Sequence, residues 1–293
     1  MCTCSTRRDA ELPTDPLKVA PEDLGAGSPI RTRVVPDAAT LTRQFADSLF
    51  DEYRAAKEAG RGSVVFIVPV GPVGQFELFA ERVNAERLPL LDLVLVNMDE
   101  YLAPDGRSLI SSDDQLSFRG HMQRNLWQRL DPALAPPIEQ RHFPDPSDRA
   151  GTTRLIERHG GVDVAYGGVG ITGHLAFNDP PEPGEPDDAD AFAALATRVV
   201  RLSRETLTIN SVTAARGNIE RIPLLAITVG MREILGARKV RLYMNRDWQC
   251  AVVRKLLHGS VTARFPASLL QRHPDALVTM TRAVTEMPEP SLR

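Results

Sequence analysis

Cysteine is scarce in this chain. There are three in 293 residues, Cys2, Cys4 and Cys250, an odd number with two in a polar N-terminal stretch, which excludes a disulfide framework. The Cys2-x-Cys4 pair lacks the further ligands a metal site needs. Cys250 falls in a helical pattern and is expected to be a buried apolar side chain. Charge of one sign is also missing. The net charge is −3 and no dense basic run occurs, so nothing argues for a nucleic-acid partner. No apolar run reaches membrane-spanning length, and the N-terminus has no hydrophobic signal core, so no membrane partner is expected and the cytoplasm is the expected location. No internal repeat and no helix-turn-helix segment is readable.

The chain carries the ordinary composition of a globular protein, 42% hydrophobic and 25% charged residues, and is long enough to bury a large core. Residues 1–30 are polar, contain proline and glycine and show no periodicity, which predicts a flexible tail. Residues 31–293 are expected to form a single domain. From Leu41 the apolar positions Leu41, Phe45, Leu49 and Tyr53 recur every four residues, the mark of an amphipathic helix ending near Gly60. Val64 to Val68 is an unbroken β-branched and aromatic run, as in a buried parallel strand. Further strands are expected at 92–96, 162–166, 224–229, 240–244 and 277–280. Helices are expected at 74–86, 113–129, 147–159, 246–258 and 266–272. Such alternation predicts an α/β fold, a doubly wound, mostly parallel sheet with helices on both faces. The stretch 180–191 contains four prolines and many acids, fits neither a central strand nor a regular helix, and reads as a mobile flap.

The most informative segment is Gly167-Gly168-Val169-Gly170-Ile171-Thr172-Gly173-His174-Leu175-Ala176-Phe177-Asn178-Asp179. It follows an expected strand, its glycines let the backbone turn tightly and approach a ligand, and it places a histidine five residues before a carboxylate. An acid/base pair on a loop after a strand is where an open α/β sheet builds a site. The same residues satisfy G-x-G-x-x-G, but a dinucleotide fingerprint needs a helix after the loop, and Pro180-Pro181-Glu182-Pro183 forbids a long one. No organic cofactor and no metal is expected.

This loop resembles the G-G-[IV]-G-x-D-G-H-[IL]-A-F-N-E-P signature of the glucosamine-6-phosphate deaminase/isomerase family. Four more segments, in family order, carry the resemblance. They are Asn97-Met98-Asp99-Glu100-Tyr101, Ser117-Phe118 to Met122-Gln123-Arg124-Asn125, Ala226-Ile227-Thr228-Val229-Gly230, and Pro266-Ala267-Ser268-Leu269-Leu270-Gln271-Arg272-His273-Pro274. Together they span roughly 34–285. The resemblance implies an acid/base sugar chemistry in which Asp99 moves a proton between C1 and C2 of an open-chain sugar. Read alone, Asp99 fits better as a turn or helix-capping residue, and His174 as a structural histidine closing the glycine turn. The resemblance gives His174 the opening of the pyranose ring, a step suited to the side chain that titrates near neutral pH. Asp179 stands where the family has Glu and is expected to orient His174. Thr172 stands where the family has a carboxylate; a hydroxyl is no base without activation.

The expected substrate-binding positions are Gly71, Val73, Glu100, Gly168, Gly170, Thr172, Asn178, Leu207 and Gln249, gathered from loops 69–75, 97–101, 167–179 and 204–211. Several depart from the family pattern. Pro69-Val70-Gly71-Pro72-Val73 replaces P-T-G-x-[ST]-P, so valines stand at the hydroxyl positions and Pro72 lacks an amide proton. Leu207 and Gln249 align with the family's phosphate-binding Arg and Lys. With those cations gone, the substrate is expected to lack the usual terminal phosphate or to present it differently, against an apolar end formed by Leu207 and Val73, with Arg204 or Arg246 as candidate replacements. The expected function is an aldose–ketose isomerase or deaminating isomerase acting on an amino sugar or related sugar, with a small-molecule sugar as partner and a homo-oligomer compatible with the fold. The alternatives are a sugar-binding or regulatory protein without turnover, and a hydrolase of the phosphogluconolactonase type.

Overall fold

The computed structural model describes residues 14–289. Ten strands follow in chain order: β1 (Arg31–Val35), β2 (Val64–Val68), β3 (Leu93–Asn97), β4 (Asp99–Tyr101), β5 (Arg141–His142), β6 (Val164–Gly167), β7 (Arg198–Arg201), β8 (Leu225–Thr228), β9 (Lys239–Met244) and β10 (Ala276–Thr281). Seven of them form a wholly parallel sheet in the order β1-β10-β9-β6-β2-β3-β5. The longer helices are α1 (Ala38–Glu58), α2 (Gln75–Glu86), α4 (Gly151–Arg158), α6 (Arg204–Ala214) and α8 (Gln249–His258); shorter ones are α3 (Phe118–Met122), α5 (Ala189–Ala193) and α7 (Met231–Leu235).

The unbroken apolar strands are buried on both faces because helices cover both. Alternate residues of a strand point to opposite sides. Thus Val65, Ile67, Val94 and Val96 join the core under α4, α7 and α8, while Val64, Phe66, Val68, Leu93 and Leu95 join the core under α1 and α2. Helix α1 shows the expected spacing: Leu41, Phe45, Leu49 and Tyr53 are all buried, and the Asp37 side chain caps its first turn through the Thr40 amide. The side on which the chain adds successive strands reverses between β2 and β6, which pair as parallel neighbours. The loops leaving their carboxyl ends, 69–74 and 168–179, therefore meet at the switch point where such folds bind ligands.

Several expectations need correction. The strand expected at 224–229 is not in the parallel sheet: as β8 it is the centre of a separate antiparallel sheet, β4-β8-β7. The 113–129 helix starts only at Phe118, capped by Ser117, and widens into a π-helical turn over Gln123–Trp127. The segment 266–272 is a 3-10 helix. Within the expected tail, residues 14–30 carry two 3-10 turns, and Val19 and Ile30 are buried. The fully buried Arg254 donates to the Val19 carbonyl at 2.9 Å, so this stretch is packed onto α8. The pair Cys2 and Cys4 lies outside the described residues; Cys250 is buried on α8. The 180–191 stretch runs without regular structure until Asp188 caps α5, and Asp187 and Asp190 reach Arg264 and Arg272 in exposed ion pairs.

Candidate active site

The loop after β6 folds on itself through its glycines. The Gly170 amide donates to the His174 carbonyl (3.0 Å) and the Gly173 amide to the Gly170 carbonyl (2.9 Å). Gly173 has φ +83°, and a side chain there would meet the Phe265 ring at 2.5 Å. At Gly170 a Cβ would lie 2.0 Å from His174 Nε2. Only glycine leaves room for the Nε2 end of the imidazole here.

His174 Nδ1 lies 2.8 Å from Asp179 Oδ1. The same carboxylate accepts from the Thr172 hydroxyl (2.9 Å), the Thr206 hydroxyl (2.8 Å) and the Ser203 amide (3.1 Å). Burial alone would raise the Asp179 pKa; hydrogen bonds from His174, Thr206 and Ser203 and the His174 charge outweigh it and hold the carboxyl well below its ordinary range. An ionised Asp179 fixes the proton of a neutral imidazole on Nδ1 and leaves Nε2 with its lone pair. Thr172 therefore sits behind the imidazole as part of the carboxylate's support.

Asp99 is a strand residue, paired with Thr228. Strand alternation sends Asp99 and Glu100 to opposite faces. Asp99 opens on the cleft that His174 lines. Burial, then the charge of Glu100, pushes its carboxyl well above the ordinary range. Glu100 turns the other way and is fully buried, accepting from the Ser117 hydroxyl (2.9 Å) and from the Tyr101, Phe118 and Arg119 amides (2.9, 3.1 and 2.8 Å). It fastens the start of α3 to β4 and does not face the cleft, contrary to the expectation for it.

The cleft has a volume of about 340 Å³ and brings together Asp99, His174, Gly71, Val73, Gly168, Gly170 and Gln249 from the expected set. It does not include Asn178, Thr172 or Leu207. The Asn178 amide donates to the Leu175 and Val229 carbonyls (both 2.9 Å) and accepts from Arg198 (2.7 Å), tying the loop to β8. The expected 204–211 loop is the helix α6, and Leu207 packs among Tyr101, Phe177 and Leu202. It faces a second cleft of about 700 Å³, between 180–186 and Arg198–Leu207. An apolar end built from Leu207 and Val73 together is therefore not formed. The larger cleft meets Asp179 but not His174 or Asp99, so the acid/base chemistry belongs to the smaller one.

The cleft residues outside the expected set include Tyr101, Asn210 and Asn245. Asn210 on α6 donates to the Tyr101 hydroxyl at 3.0 Å. Tyr101 was findable by alternation from Asp99; Asn210 depends on how α6 docks. Gln249 has both ends of its amide engaged, donating to the Val169 carbonyl (2.8 Å) and accepting from the Arg246 amide (2.9 Å). Val70 packs against the core beneath α1 and α2. Among the described residues, Arg246 is the only Lys or Arg lining this cleft. No group of three or more His, Cys, Asp or Glu among the described residues is arranged to hold a metal ion, and no helix there is long and apolar enough to cross a membrane.

No family model matches the chain. It is 30% identical over 213 residues to the glucosamine-6-phosphate deaminase of Lachnoclostridium phytofermentans, covering 71% of this chain and 81% of that one. It is 28% identical over 271 residues to that of Rhodopirellula baltica, covering 90% and 98%. Its fold superposes on a monomeric glucosamine-6-phosphate deaminase with TM-score 0.71 at 24% identity, covering 87% and 98%. It superposes on the 6-phosphogluconolactonase of Thermotoga maritima with TM-score 0.58 at 12% identity, covering 86% and 99%. Similarity over this length, together with the shared fold, shows that the chain belongs to the glucosamine-6-phosphate deaminase family.

Proposed function

We propose that the protein is a deaminating aldose–ketose isomerase acting on an amino sugar. The observation that carries this reading is the opening of Asp99 and His174 onto one cleft at the switch point of the sheet. Two protonable groups on one sugar-sized cavity are what ring opening and carbon-to-carbon proton transfer require. His174, oriented by Asp179, passes a proton between Nε2 and the ring oxygen and frees the aldehyde at C1. Asp99 then takes the C2 proton, giving an enolamine. Return of a proton to C1 gives the imine at C2, and water releases ammonia and leaves the ketose. The raised Asp99 carboxyl is a stronger base when ionised than an ordinary carboxylate, which suits a carbon acid.

The departure at Thr172 is compatible with this reading. Its hydroxyl donates to Asp179, so the imidazole keeps an ionised partner without a second carboxylate. The test is incubation with a panel of free and acidic hexosamines, following ammonia and ketose together. Equimolar formation of both is expected. Binding of amino sugars with no product from any of them would instead establish a sugar-binding protein.

A further inference from the structure

We infer that Arg246 is the specificity-determining residue of this cleft, and that it takes a terminal carboxylate, making the substrate class a 2-amino-2-deoxyhexuronate. The inference rests on the amino-sugar reading of the same site. The loops around the cleft leave β9, β6, β2 and the end of β3, in that spatial order. Arg246 lies just past the end of β9 and Asp99 just past the end of β3, strands that stand three spacings, or about 14 Å, apart. An Asp and an Arg side chain reaching inward narrow that gap to the length of a six-carbon sugar. With C2 at Asp99, the far end of the chain, C6, falls to Arg246.

The surroundings of Arg246 select the shape of the anion. A phosphate presents three terminal oxygens on a tetrahedron and needs donors on several sides; a carboxylate presents two in one plane, which a single guanidinium fork satisfies. Arg246 is the one cation among the described residues lining this cleft, which matches a singly charged carboxylate better than a phosphate dianion, and the loop after β2 and Gln249 add no free side-chain donor beside it. Val70, half-buried against the core, and Val73 offer the cleft only methyl groups, Pro72 has no amide proton, and both ends of the Gln249 amide are occupied. Gln249 accepts the Arg246 amide proton and so anchors the backbone from which the guanidinium projects. The neighbouring Asp247 carboxylate accepts from the Trp248 amide, and no carboxylate among the described residues forms an ion pair with Arg246.

The test is calorimetric binding of glucosamine, its 6-carboxylate (2-amino-2-deoxyglucuronate) and glucosamine 6-phosphate to the full chain, with Arg246→Gln and Arg246→Lys alongside. The carboxylate should bind about 10- to 100-fold more tightly than the neutral sugar, the usual worth of one charge-assisted pair. It should also bind more tightly than the phosphate. In Arg246→Gln the carboxylate and neutral sugars should bind alike, while Arg246→Lys, which keeps the charge and loses the fork, should keep part of the difference. The inference is overturned if the phosphate binds more tightly than the carboxylate, if the neutral sugar matches the carboxylate, or if Arg246→Gln leaves the order unchanged. Ammonia release is read separately: the expected binding order without ammonia from any of the three would defeat the deaminase reading and leave the recognition intact.

Discussion

At the scale of single residues, Asp99 is held where its charge is costly. Burial and the Glu100 carboxylate both disfavour its ionised form. A carboxyl whose folded pKa lies above its unfolded value binds protons more tightly in the native state, so stability falls as pH rises through that interval. Asp99→Asn should therefore melt at a higher temperature than the wild type at neutral pH, with the difference shrinking as pH drops to the ordinary Asp range. Equal melting curves at pH 7 would show that the ionised carboxylate is not strained. Asp179 has the opposite sign. Its stabilising contribution is present above the unfolded Asp value and is lost only as pH falls well below it. His174→Gln should slow turnover of a cyclic amino sugar by about 10²-fold or more, and of an open-chain analogue by less, since only the former needs ring opening. Matching losses on the two would assign His174 to another step.

At the scale of elements, the glycine loop and the 180–191 segment carry separate expectations. Gly170→Ala puts a methyl group where His174 Nε2 now lies; displacing the imidazole by about an ångström should lower kcat by about 10²-fold. A fully active Gly170→Ala enzyme would show that the ring position is unimportant. Pro180 directly follows Asp179, the partner of His174, and exposed ion pairs such as Arg264–Asp187 hold the segment beyond it only weakly, so the 180–188 amides should exchange freely without ligand and gain protection with bound substrate. Strong and equal protection in both states would exclude a flap. Strands such as β2 and β3 were legible because burial on both faces leaves an unbroken apolar run. The β4-β8-β7 sheet was not. β4 is three residues, Asp99 to Tyr101, and β7 is two valines flanked by Arg198 and Arg201 with no alternation, so neither has a local pattern. Both pair with β8, far along the chain.

At the scale of the whole molecule, the parallel sheet places loops from four strands around one cleft, and the small antiparallel sheet contributes Asp99 and Tyr101 from β4. That partition explains which site residues could be read beforehand. His174, Gly168, Gly170 and Gly71 follow strands directly, so locating the strands located them. Leu207 and Asn210 share α6, and only the docking of that helix decides which cleft each one meets. Glu100 and Asn178 sit within the same motifs as Asp99 and His174, yet their polar atoms are consumed in holding the loops together. The central claim is that Asp99 transfers the C2 proton of an amino sugar. NMR of the C2 proton during incubation with the preferred amino sugar tests it directly. Wild-type protein should remove that signal at the rate at which ketose forms, and Asp99→Asn should do so at least about 10²-fold more slowly while binding within about tenfold of the wild type. Loss of the C2 signal at the wild-type rate in Asp99→Asn would contradict the account.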